Sequence, residues 1–386
     1  MLNMPPIFNR FRTALSRRGK RSSVSIISKE SIWKRLPNKV LVRLVSLCEL
    51  EDVVSLALTC QLIHRRIFKN ETAISHAWLS VRRRNYLRDE DDLSFSPGDD
   101  LTFISELFPP PPPQYAVGDG HDDAEYSFAY LADLQRCWTT CIQLSYHLAD
   151  HAVRHHLDTD PLARSLWTSS KTEKEVVYSR AVAVLHEKLI YSMAHTILFL
   201  ESSAPDDPVS ESSVHLDQVF KSIDKQQSIL QSTPFTNTRI LLSTQHCLEL
   251  LCSTLRRLML PEFPSSSSES WVSMLLMTST LERVLKFFVA VSKDEEERES
   301  PSHATGWSHR KEFMWRMRED LSQYVVSKKH SNRSLTGLPT LSEVWFGACH
   351  QEMLQRGAVP HEMEEPVPVL HGSTVTLTCE YCYIED

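Results

Sequence analysis

The sequence predicts an all-α protein, and three observations carry that prediction. Glycine occurs only 9 times in 386 residues, whereas tight β-turns, propeller blades and phosphate-cradling loops all draw on glycine. From about residue 125 onward, apolar side chains recur three or four positions apart, the spacing of one helix face. The breaks between these periodic stretches are prolines, serines and acids, which end helices. The expected architecture is a short N-terminal three-helix unit followed by a large α-helical bundle or solenoid-like domain, with room for a small C-terminal β-hairpin.

Residues 1–30 read as a disordered basic tail. Arg10, Arg12, Arg17, Arg18, Lys20, Arg21 and Lys29 stand there with no acid before Glu30. The chain carries a formal charge of −7, so residues beyond this +7 leader sit at −14. A bulk charge of that sign makes the globular part a poor nucleic-acid binder. The leader has no apolar segment of a secretory signal. Its Arg- and Ser-rich composition suits a mitochondrial presequence and Arg17-Arg18-Gly19-Lys20-Arg21 suits nuclear import, but a solvated tail is the plainer reading.

Residues 31–88 form an apolar helical unit. Pro37 suits a first helical turn, where its missing N–H costs nothing, and it forces Leu36 into an extended shape. Val40, Leu41, Leu44, Leu47 and Cys48 make an apolar stripe, with Lys39, Arg43 and Ser46 opposite. Glu51 and Asp52 complement the N-terminal dipole of a second helix built from Val53, Val54, Leu56, Ala57 and Leu58. A third helix follows through Leu62, Ile63, Ile67 and Phe68. Three helices this short cannot bury so much apolar surface among themselves, and the excess calls for a further surface.

Residues 89–124 read as an acidic, Pro-rich linker. It opens with Asp89 to Asp92 and includes the polyproline spacer Pro109 to Pro113; between them Leu101 to Phe108 has the makings of one short helix. Residues 125–386 form the helical domain. Leu131, Leu134, Trp138, Cys141, Ser145, Leu148 and Ala152 share one face of a long helix. Lys174 to Leu200, Val214 to Leu230, Arg239 to Leu260 and Trp271 to Val291 repeat the pattern. Asp294 to Glu299 is expected as a solvated acidic loop, with further helices at 310–326 and 340–355. The stretch Pro366 to Thr378 alternates apolar and polar residues around Gly372, as a hairpin would. No fixed-period repeat is present.

The sequence 36–60 has a Leu-Pro step, an apolar first helix, an acid-led apolar second helix and a closing Thr59-Cys60. In these features it resembles the F-box family, most closely its fungal members, over about residues 35–80. The resemblance implies docking on a Skp-type adaptor, which links the chain to a cullin-based ubiquitin ligase, while residues 125–386 recruit a client protein. On that resemblance Leu36, Pro37, Val40, Leu41, Leu44, Leu47, Asp52, Val53 and Leu56 match the adaptor-binding motif, its apolar positions shared with the unit's own core. One departure stands out: many members carry a bulky aromatic three residues after the cysteine, where this chain has Ile63. Trp78 is expected to supply the aromatic contact that often follows the motif. A helix-turn-helix reading would set Arg82 to Arg84 on phosphates, but the apolar second helix offers few side chains able to read base edges.

Catalytic chemistry has no signature in this chain. Phosphate loop, dinucleotide fingerprint and nucleophile elbow are missing, and His186-Glu187 lacks the second histidine of a zinc protease. The expectation is a non-enzyme without cofactor or bound metal, free of nucleic-acid and membrane partners, in the cytoplasm or nucleus. The alternative to a ligase receptor is a non-enzymatic helical scaffold or transcription-associated interaction protein. Cys379-Glu380-Tyr381-Cys382 has zinc-knuckle spacing, with Cys349, His350, His361 and His371 as completions, yet one such pair is a weak signal and free thiols are expected. His151, His155 and His156 are read as the solvated end of a helix. Met314, Met317, Leu321, Tyr324 and Val325, beside Trp307, Phe313 and Trp315, form a stripe whose main expectation is core packing.

Overall fold

A computed structural model describes residues 32–88, 101–110, 126–159, 170–202, 228–260, 271–273, 275–276, 281–299, 308–329, 345–357, 368–371 and 374–377. The fold is all-α. In chain order the helices are α1 (Ile32–Arg35), α2 (Asn38–Ser46), α3 (Leu50–Thr59), α4 (Gln61–Lys69), α5 (Glu71–Arg88) and α6 (Leu101–Leu107), then α7 (Phe128–Thr159), α8 (Lys171–Ser202), α9 (Thr238–Met259), α10 (Leu281–Glu299), α11 (His309–Lys329) and α12 (Gly347–Gln355). Near the end of the chain, β1 (Pro368–His371) and β2 (Thr374–Leu377) pair antiparallel, with Pro368 opposite Leu377 and His371 opposite Thr374. Two compact units result, residues 1–139 and 140–386, with the boundary inside α7.

The N-terminal unit begins with α1 to α4, each too short to be stable alone. Pro37 is the N-cap residue of α2, and its carbonyl accepts the amides of Val40 and Leu41, both at 3.0 Å. Helix α3 packs on α4 while α5 packs on α2, so a fourth helix supplies part of the surface that three could not. The core of these helices holds Leu41, Val45, Val53, Ile67, Ile74 and Trp78, all buried. Helix α6, inside the segment read as a linker, packs on α5 and buries Leu101 and Ile104. The start of α7 belongs to the same unit: the Glu71 carboxylate accepts the Phe128 amide at 2.8 Å, and the Tyr130 hydroxyl donates to the Phe108 carbonyl at 2.8 Å.

The C-terminal unit uses longer helices and buries polar groups along with apolar ones. Helices α8 and α9 pack together, as do α10 and α11. Trp345, fully buried, meets Phe199 edge-on at 3.9 Å between ring centroids and donates its indole N–H to the Gln245 side chain. Arg310 donates to the Leu258 and Leu260 carbonyls, both at 2.8 Å, satisfying acceptors that the end of α9 leaves open. Arg356 does the same for the loop before α9, reaching the carbonyls of Phe235 at 2.8 Å, Thr236 at 3.1 Å and Leu230 at 3.2 Å.

Two expectations are corrected here. Asp294 to Glu299 is not a loop but the last turns of α10, and Asp294 is buried because it caps α11: it accepts the Ser308 hydroxyl at 2.6 Å and the amides of His309 at 2.7 Å and Arg310 at 3.2 Å. An acidic run reads as solvated until a helix N-terminus is set against it. His155 is exposed as expected, but His151 and His156 are buried, because α7 continues between other helices where the sequence implies a free end. In the segment read as one helix from Trp271 to Val291, residues 271–273 and 275–276 are helical and α10 runs from Leu281 to Glu299, beyond the expected end. The basic leader, most of the Val214 to Leu230 helix, and Cys379 with Cys382 lie outside the described residues.

Candidate docking site

Helix α2 has two apolar faces, and that sets the site. Leu41 and Val45 point inward with Ser46, whose hydroxyl donates to the Arg43 carbonyl at 3.0 Å. Ser46 was expected opposite the apolar stripe, but its self-satisfied hydroxyl lets it enter the core. Val40, Leu44 and Leu47 point outward and remain 44%, 46% and 61% exposed. They recur at intervals of four and three, so together with exposed Pro37 they make one ridge along the helix. Exposed Lys39 and Arg43 flank it.

The other motif residues divide in the same way. Val53 is buried in the unit's own core, Asp52 is exposed, and Leu36 and Leu56 are half-buried. Glu51 and Asp52 occupy the first turn of α3, where they complement the helix dipole; the N-cap is Glu49, and its side chain makes no capping bond. Ile63 is buried, filling with a branched aliphatic the place where an aromatic was the expectation. Trp78 does not face outward to a partner. It is buried, and its indole N–H donates to the Cys48 carbonyl at 3.0 Å.

Two arginines outside the motif brace the ends of α2. At its start, Arg66 of α4 donates to the Trp33 and Leu36 carbonyls and to the Asn38 side-chain oxygen, the last at 2.7 Å. At its end, the Arg82 guanidinium of α5 stacks 3.3 Å from the Trp78 ring centroid and meets both Glu49 carboxylate oxygens at 2.9 Å. Arg82 is therefore engaged within the unit, which removes it from the phosphate-binding role of the helix-turn-helix reading. Neither arginine was legible as a site residue. Their only sequence signal is a cation on a helix of low apolar content, which many solvated arginines share.

The remaining candidates behave as core. Met314 and Met317 are buried, Phe313 is half-buried, and Trp315 alone of the described stripe is largely exposed. Burial pushes the Cys349 thiol up to about 12, with the nearby Glu249 carboxylate adding to the shift, so it stays protonated at neutral pH. Among the described residues, no group of three or more His, Cys, Asp or Glu side chains could hold a metal ion, and no helix is long and apolar enough to cross a membrane.

Comparison with known proteins returns no match among family models, curated proteins or solved structures.

Proposed function

We propose that the chain is an F-box-like substrate receptor. In this reading the N-terminal unit docks on a Skp-type adaptor and through it on a cullin, and the C-terminal helical unit holds a client protein for ubiquitination. The mechanism is proximity: docking raises the effective concentration of client lysines near a ubiquitin-charged partner, without chemistry in this chain. The observation that carries the reading is the outward ridge of Pro37, Val40, Leu44 and Leu47. A helix of nine residues that leaves Val40, Leu44 and its C-cap Leu47 largely in water on one side, while burying Leu41 and Val45 on the other, has the pattern of a helix with two packing partners, one of them outside the chain.

The test is direct binding of the purified full chain to a purified Skp-type adaptor, compared with the Leu44→Ala, Leu47→Ala double variant. Micromolar or tighter binding by the intact chain, weakened by about a hundredfold in the variant, is expected from the loss of two buried aliphatics. Failure of the intact chain to bind, or equal binding by a folded variant, would return the ridge to the alternative reading, a helical scaffold with no ligase role.

A further inference from the structure

The outer ridge of α2 is only partly covered by its own unit, so something else must hold it in a single pose. Helix α2 has nine residues, below the length at which a helix is stable in water by itself. Its inner face is anchored by Leu41 and Val45 alone among its large side chains. The ends are where an adjacent turn would otherwise let the helix roll or fray, and both ends are tied by side chains from other helices.

At the entry, three acceptors from three different residues converge on one guanidinium. Arg66 takes the carbonyls of Trp33 and Leu36 and the Asn38 side-chain oxygen, spanning the corner from α1 into α2. Arg66 is in turn tied back, since the Asn70 amide group donates to its carbonyl at 2.7 Å. At the exit, the turn of Leu47, Cys48 and Glu49 is held twice from α5. Trp78 fixes the Cys48 carbonyl, and Arg82 holds both Glu49 carboxylate oxygens through one nitrogen, Nη2, while lying over the Trp78 ring. Pro37 sits just inside the first clamp and Leu47 just inside the second.

We infer that Arg66 and Arg82 are positioning residues of the docking ridge: they preset α2, from its two ends, in the pose in which Pro37, Val40, Leu44 and Leu47 meet a partner. The inference rests on the docking reading for its partner and on the observed bonds for the clamp itself. A preset ridge spares the complex the cost of ordering a short helix on binding. Neither arginine is a core residue. The Arg82 side chain is 18% exposed, lying on the Trp78 ring, but its partner Glu49 is 70% exposed, and an ion pair with one partner in water contributes little to global stability. Losing it therefore loosens the turn without unfolding the unit.

Two measurements on the full chain separate the clamp from the docking reading. The first is hydrogen exchange of the Leu41 to Cys48 amides in the free protein. Arg66→Ala and Arg82→Ala are each expected to speed exchange there by about tenfold while leaving the α5 amides near Ile74 unchanged. Unchanged exchange in α2 overturns the inference whatever the chain binds. The second is a double-mutant cycle for affinity to a purified Skp-type adaptor. Arg66→Ala is expected to weaken binding by about tenfold in the intact chain and by much less once Leu44 is alanine, since it acts through the ridge. Arg66→Lys, which keeps the charge but loses the fork that reaches separate acceptors, should recover only part of the loss. Equal losses in both backgrounds would mark a purely structural arginine and overturn the inference. Absence of binding by the unaltered chain sinks the docking reading and the positioning role with it; fast exchange in the arginine variants would then leave only a structural clamp.

Discussion

The two units spend their side chains in opposite ways. The N-terminal unit leaves large aliphatics in water: Val40, Leu44 and Leu47 on one face of α2, and Leu58 on α3. The C-terminal unit puts polar and titratable groups inside, among them His151, His195, His246, Gln245, Asp294 and Glu352. It has exposed apolar residues too, but these fall singly, Tyr146, Val176, Val289, Trp315 and Leu354 on five helices and Leu260 just past the end of α9. The contrast is between large aliphatics left open on short helices and an interior that takes in polar groups, several with partners of their own, as Gln245, Asp294 and Glu352 have. Surplus apolar area on short helices is cheap to leave open when a partner covers it, whereas buried polar groups must find partners within the fold.

The largest expected effect lies inside the C-terminal unit. Trp345→Ala should destabilise that unit by about 3–5 kcal/mol, through the cavity left beside Phe199 and an unmet Gln245 oxygen. Denaturant unfolding, followed by exchange of the α8 and α9 amides, would report it, and a loss under 1 kcal/mol would mean the interior is less tightly completed than its geometry implies. Next comes the ridge. Leu44→Ala with Leu47→Ala should cost about 2–3 kcal/mol of adaptor binding but only within about 0.5 kcal/mol of folding stability. A large loss of stability would turn these residues into core and erase the contrast.

Asp294→Ala removes a buried cap with three donors and should cost the C-terminal unit about 2 kcal/mol, with α11 amides losing protection first. Asp294→Asn, which keeps an acceptor, should recover part of this. The pH response is smaller per group but adds up. Burial holds His151, His195 and His246 down at about 4, against an unfolded value near 6.5. Between those values the unfolded chain binds more protons than the folded one, so stability is fully present above about pH 6.5 and is lost as pH falls toward 4, by on the order of 1 kcal/mol per pH unit for each histidine. Chemical unfolding of the C-terminal unit at pH 7 and pH 5 checks the sign; greater stability at pH 5 would refute it.

Much of the fold was legible because it follows from local periodicity. The bounds expected for the long helices at Lys174 to Leu200 and Arg239 to Leu260 fall within a few residues of α8 and α9, since a run of apolar residues at helical spacing needs only a core to lie against. The short helix expected from Leu101 to Phe108 is α6. Legibility failed where one residue type fits two environments. An aspartate at the head of an acidic run, such as Asp294, is a solvated charge unless a distant helix start is placed beside it. A histidine near a helix end, such as His156, is exposed unless neighbouring helices extend past it. On α2, the apolar stripe was legible, but its division into a buried Leu41 and an exposed Leu44 was not. Both are leucines on a short helix, and only the placement of α5 decides which one is covered.

By itself the sequence determined that this chain is helical, within a few residues where α8 and α9 begin and end, and that the stretch from Leu36 to Phe68 carries more apolar surface than three short helices can hide. Those are properties of composition and spacing, which act along the chain. Tertiary structure alone decided which aliphatics of α2 face outward, that Trp78 closes the unit from within, and that Arg66 and Arg82 reach across 28 to 33 residues to the two ends of one helix. Such contacts depend on where α4 and α5 come to rest, and a charge or a hydrogen bond between residues so far apart has no period for the sequence to display.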